Sequence, residues 1–112
     1  MVVAARHWHV TLTVSGSPME PPLVRAALLR LAEERPFLSS LRFGPDRAEL
    51  QFWDEGESML DVASLALRLW SEHRTSAQLP QWEVVGLEVV ERSVREGGRP
   101  DTSALGPTLV PL

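Results

Sequence analysis

Polar and hydrophobic residues alternate strictly from His7 to Val14. Trp8, Val10, Leu12 and Val14 share one parity, and His7, His9, Thr11 and Thr13 share the other. A period of two marks a half-buried strand. Ser15-Gly16-Ser17-Pro18 ends it, and Pro21-Pro22 opens a helix, where a missing N–H costs little. The period then lengthens. Val24, Ala27, Leu28 and Leu31 recur at helical spacing over 22–35, Arg25, Glu33 and Glu34 point away, and Pro36 stops the helix. A second strand is predicted over Phe37–Phe43, with Phe37, Leu41 and Phe43 on one side. Gly44-Pro45-Asp46 turns the chain into a hairpin. The return strand, Arg47–Trp53, puts Ala48, Leu50 and Phe52 inward and Glu49, Gln51 and Trp53 outward.

After the loop Asp54-Glu55-Gly56-Glu57, Ser58 with Asp61 fits a capping pattern. A second helix is predicted over Met59–His73, striped by Val62, Ala63, Ala66, Leu69 and Trp70. Thr75–Pro80 connects it to a last strand, Trp82–Glu91, with Val85, Leu87 and Val89 inward. His73 and Arg74 complement the dipole at the helix C-terminus. From Arg95 to Leu112 the composition is turn-forming, with Gly97, Gly98, Pro100, Gly106, Pro107 and Pro111.

The predicted order is β-α-β-β-α-β, the ferredoxin-like α+β arrangement. Two helices would cover one face of a four-stranded antiparallel sheet. The first and third strands would be central and parallel to each other, with the fourth and second at the edges. Residues 1–93 form the domain and 94–112 a Gly/Pro-rich C-terminal tail. Trp8, Phe37, Phe43, Phe52 and Trp70 are expected to supply much of the core. Leu105, Leu109, Val110 and Leu112 of the tail are expected to lie extended in an apolar groove.

With both helices on one side, residues of the other parity project from a bare sheet face. Strand one contributes His7, His9, Thr11 and Thr13, and strand three contributes Glu49, Gln51 and Trp53. Ser40 and Arg42 come from strand two, and Trp82, Val84, Gly86, Glu88 and Val90 from strand four, where Trp82, just after Pro80, has a packing plug for the connector as its alternative role. Trp53, Trp82, Val84 and Val90 make this face partly apolar. Two uses suit that mixture, a homodimer interface or a pocket for a small organic ligand. The candidate residues are His7, His9, Arg42, Glu49, Gln51, Trp53, Trp82 and Glu88.

The 112 residues bound the chain to one small domain. Cysteine is absent, which excludes disulfides, thiolate metal sites and a cysteine nucleophile. Lysine is absent as well, which excludes Schiff-base chemistry and a phosphate-loop lysine. The joint loss of Lys, Asn, Ile and Tyr matches a high-GC codon bias, so the exclusive use of arginine carries no functional meaning. A formal net charge of −4 opposes nucleic-acid binding, and no Lys/Arg-Gly-aromatic run is present. No apolar run approaches the roughly 18 residues of a membrane span. A strand pattern starts almost at the N-terminus, where a signal peptide would otherwise stand, so a cytoplasmic protein is expected.

His7-Trp8-His9 is the sharpest local motif. Two imidazoles two residues apart on a strand share a face, but spacing fixes no third ligand, so no metal site or cofactor is expected. His9 with Glu49 is a conceivable acid–base pair. Neither a G-x-S-x-G elbow nor a glycine-rich phosphate loop occurs.

The segments Leu-Arg-Leu-Trp-Ser-Glu-His-Arg and Leu-Pro-Gln-Trp-Glu-Val-Val-Gly-Leu-Glu-Val, between Leu67 and Arg92, resemble a group of short uncharacterised actinobacterial proteins. The likeness runs from His7 to about Arg92 and implies no activity. The element order is similar to that of dimeric α+β-barrel proteins, including cofactor-free monooxygenases and haem-degrading relatives. It is also similar to that of ligand-sensing ACT domains, whose glycine-rich turn Ser15-Gly16-Ser17 echoes faintly. The haem-degrading pattern needs an Asn, and this chain has none. The expected function is protein interaction or small-ligand binding through the open sheet face, with a homodimer as the expected assembly. A small monooxygenase-like enzyme is the alternative.

Overall fold

The computed structural model describes residues 6–92 and 108–112. Their elements are β1 (Arg6–Ser15), α1 (Pro21–Glu34), β2 (Leu38–Phe43), β3 (Arg47–Gly56), α2 (Met59–His73), β4 (Glu83–Glu91) and β5 (Thr108–Pro111). The sequence patterns explain most boundaries. Pro21 and Pro22 occupy the first turn of α1. The Ser58 hydroxyl accepts the Asp61 N–H at 3.2 Å, which caps α2.

The fold is α+β, with two helices on a sheet of order β4-β1-β3-β2-β5. Two expectations about the sheet are corrected. It has five strands and is mixed, not four and antiparallel, because Thr108–Pro111 adds to the edge of β2 in parallel. Part of the segment expected to be a tail is therefore a strand, and Leu109 packs against the core. The Leu112 N–H donates to the Phe43 carbonyl at 2.7 Å and holds the end of the strand. The rest of that segment, including Leu105, lies outside the described residues. Second, the central strands β1 and β3 are antiparallel, not parallel. A helical crossover sets β2 parallel to β1 and the hairpin reverses β3 against β2, so β1 and β3 must oppose.

Both helices bury their stripes against the same sheet face. The core joins Trp8, Val10, Leu12 and Val14 of β1 with Leu50 and Phe52 of β3, Leu28 and Leu31 of α1, and Val62 and Trp70 of α2. No charged or polar residue is buried among the described residues.

The expected parity fails at three places, and bulges explain two of them. At the β2 entry the register shifts between Leu38 and Ser40. Leu38 therefore enters the core and Phe37 stays 41% exposed, instead of filling the interior as expected. The β1–β4 register shifts between Thr13 and Val14, where Val84 pairs with Val14. Val84 consequently packs against the core, and Val85, expected inward, is exposed. An extra residue in one strand puts the positions on its two sides out of phase, so Leu38 and Val84, which precede the bulges, depart from the alternation that Leu41, Phe43, Leu87 and Val89 keep.

Trp82 is the third departure. It lies before β4 and is only 2% exposed. Its indole stacks on Trp70 at 6.4 Å and donates from Nε1 to the Ser17 carbonyl at 2.9 Å. The connector behind it is pinned by arginines. Arg30 donates to the carbonyls of Ala77 and Gln78, and Arg74 donates to the Trp82 carbonyl.

Candidate functional site

The register sets the open face out in rows. Val90, His9 and Trp53 lie side by side, then Glu88, Thr11, Gln51 and Ser40, then Gly86, Thr13, Glu49, Arg42 and Val110. Below them His7 pairs with Glu55, at the end of the sheet where β1 begins and β3 ends. Of the eight expected site residues, seven therefore share this face. Trp82 does not, because its indole belongs to the core. Val84 leaves the face too, so two of the four apolar residues expected there are gone.

The seven do not form one constellation. His9 sits edge-on to Trp53, with ring centroids 5.2 Å apart. Burial and the charge of Arg92 lower the His9 pKa, and Glu88 pulls it weakly the other way. Glu49, its expected acid–base partner, lies opposite Thr13, four residues along from His9. At about 3.4 Å per residue that is roughly 14 Å, too far for a proton transfer pair. Glu49 is engaged elsewhere, accepting from Gln51 Nε2 at 3.4 Å. Arg42 stands opposite Glu49 at the far side of the face. His7 Nε2 lies 3.2 Å from Glu55 Oε1. Among the described residues no group of three or more His, Asp or Glu side chains gathers to hold a metal ion.

The open end of the sheet holds a cleft of about 300 Å³, lined among the described residues by His7, Phe37, Trp53, Asp54 and Glu55. Its shape comes from the irregularity at the start of β2, which leaves Phe37 outside the core. The Phe37 ring meets Phe52 edge-on at 5.1 Å, and the Arg35 guanidinium lies 5.8 Å from its centroid. A second hollow of about 200 Å³ lies nearby, where Phe37 and Asp54 meet Arg35, Leu65 and Glu72. Trp53 Nε1 is buried with no hydrogen-bond partner among the described residues.

Of this lining, the sequence pattern set His7 and Trp53 on the open face and missed Phe37, Asp54 and Glu55. Phe37 was hidden by the bulge. Asp54 and Glu55 read as loop, although β3 continues to Gly56.

A family model matches residues 7–103. The chain belongs to the family described as a domain of unknown function, DUF8830. The DUF8830 match takes in every lining residue of the cleft and ends before β5. No curated protein matches the chain. Among solved structures the chain is similar to the acylphosphatase from Bacillus subtilis, at 12% identity and a TM-score of 0.40. That alignment covers 94% of this chain and 98% of the other.

A second polar cluster of the DUF8830 chain ties the two helix ends together. The Glu34 carboxylate accepts from the Ser76 hydroxyl and from His73 Nδ1, both at 2.6 Å, while Arg35 Nε donates to His73 Nε2 at 2.6 Å. The hydrogen bonds from Ser76 and His73 lower the Glu34 pKa. Nucleophilic catalysis needs the hydroxyl on the imidazole. Here both groups engage the carboxylate and Arg35 occupies the other ring nitrogen, so the cluster is a clasp between helices.

Proposed function

We propose that this chain is a ferredoxin-like binding module that takes a small organic ligand in the cleft at the end of its open sheet face. The observation that carries this reading is the cleft itself. At about 300 Å³ it reaches the lower end of small-molecule sites, and it sets two aromatic rings among a few polar groups. The homodimer reading has lost much of its basis, since Trp82 and Val84 contribute to the core instead of the face. The enzyme reading has lost its acid–base pair.

Nuclear magnetic resonance screening of a fragment library against the full chain tests the proposal. The expected result is a set of binders that shift the Trp53 indole, His7 and Phe37, and that lose affinity in Trp53→Ala and Phe37→Ala. Shifts confined to the upper rows, around Thr13 and Arg42, would place the site elsewhere. Light scattering on the same sample separates the competing assembly: a dimer whose contact face includes Trp53 and Val90 would replace the ligand reading.

A further inference from the structure

We infer that the cleft selects an organic cation, an alkylammonium or guanidinium group on a small apolar body, held by Phe37 and Trp53 and neutralised by Asp54 and Glu55. This inference rests on the reading of the cleft as a small-ligand site and adds its ligand class.

The lining carries three features that agree. Phe37 and Trp53 present aromatic rings, whose negative faces attract cations. Asp54 and Glu55 bring two carboxylates to the same small space. Neither carboxylate meets an arginine among the described residues. Glu55 contacts His7 alone, and Asp54 Oδ1 accepts only the neighbouring Glu55 N–H at 2.8 Å.

The nearby arginines are committed elsewhere. Arg6 donates twice to Glu91, at 2.6 and 2.9 Å, and once to the Glu57 carbonyl. Arg35 donates to His73 and stands 3.8 Å from Glu72. Both also lie over aromatic rings, Arg6 over Trp8 at 4.7 Å and Arg35 over Phe37 at 5.8 Å. The protein's own cations thus already use the pairing proposed for the ligand. An anion would face both carboxylates, with His7 and an Arg35 guanidinium already engaged by His73 and Glu72 for compensation. A neutral ligand would leave the Asp54 carboxylate, which accepts a single N–H, without a charge partner. The cleft has about the space of ten waters at roughly 30 Å³ each, which suits a compact amine or guanidine.

The test uses the full chain and three probes of similar size: benzylammonium, benzyl alcohol and benzoate, with agmatine as a guanidinium probe. Binding is monitored by chemical shifts of the Trp53 indole, Phe37 and His7. Benzylammonium and agmatine are expected to bind at least tenfold more tightly than benzyl alcohol, with benzoate silent. Raising the salt should weaken the cations selectively. The variant carrying Asp54→Asn and Glu55→Gln should lose that preference while keeping the wild-type melting temperature. If that variant is destabilised, the salt titration of the wild type decides. Benzyl alcohol or benzoate binding the same residues as tightly as benzylammonium would overturn the charge assignment and leave the ligand site standing. If no probe and no member of a mixed fragment set shifts those residues, the site reading itself falls.

Discussion

Replacing Gly16 with alanine measures how tightly Trp82 closes the core. A Cβ at this position would lie 2.4 Å from Trp82 Cδ1, 3.0 Å from Cγ and 3.2 Å from its Cα. The indole has little freedom to retreat. It is 2% exposed, bonded through Nε1 to the Ser17 carbonyl and stacked within 7° of parallel on Trp70. The other side is fixed too, since the Gly16 N–H donates to the Asp46 carbonyl at 3.1 Å. Overpacking of this kind costs about 1–3 kcal/mol. At roughly 4 °C per kcal/mol for a domain of this size, Gly16→Ala should lower the melting temperature by about 4–12 °C. Trp82→Leu removes the rigid indole that makes the shortest contact, leaving a smaller side chain free to change rotamer, and by itself costs on the order of 3 kcal/mol as a large-to-small core change. Urea denaturation monitored by far-ultraviolet circular dichroism gives the double-mutant cycle. Gly16→Ala should cost clearly less in the Trp82→Leu background, with a coupling of about 1–2 kcal/mol. Equal cost in both backgrounds, or no cost in either, would refute the reasoning.

Val84→Asp should destabilise the protein by at least about 2 kcal/mol and Val85→Asp by no more than about 0.5 kcal/mol. The opposite ranking in thermal melts would show that β4 has no bulge. Deleting Thr108–Leu112 uncovers the edge of β2 and removes the packing of Leu109 against the core, so the melting temperature should fall; an unchanged melt would show that β5 contributes nothing. The His9 pKa is lowered from its usual 6.5, so the unfolded chain takes up this proton first as pH falls. Stability from this group is therefore complete above about pH 6.5 and declines as pH drops toward the lowered value. His9→Gln should flatten that part of the stability curve, and a histidine titration at or above the usual value would contradict it.

The elements and most of the core are legible in the order of residues alone. Strict alternation in His7–Val14 and 48–53, the helical stripes and the proline and serine signals at helix starts are local properties of the backbone. A strand half-buried on one face has no other way to sort its side chains. The same alternation puts His7, His9, Glu49, Gln51 and Trp53 on one face without reference to any contact.

Pairing between distant segments is settled only in three dimensions. The bulges opposite Thr13–Val14 and at Leu38–Ser40 are set by how two strands align, so Val84, Val85 and Phe37 could not be placed from their own neighbours. Trp82 precedes its strand, and its position is fixed by Trp70 and by the close approach of Gly16, contacts across 12 and 66 residues of chain. Thr108–Pro111 is too short to show a period, and it is a strand because β2 offers an unpaired edge. The cleft is of the same kind. Phe37 meets His7, Trp53, Asp54 and Glu55 only because a shifted register keeps its ring out of the core while the end of β3 runs beside the start of β1.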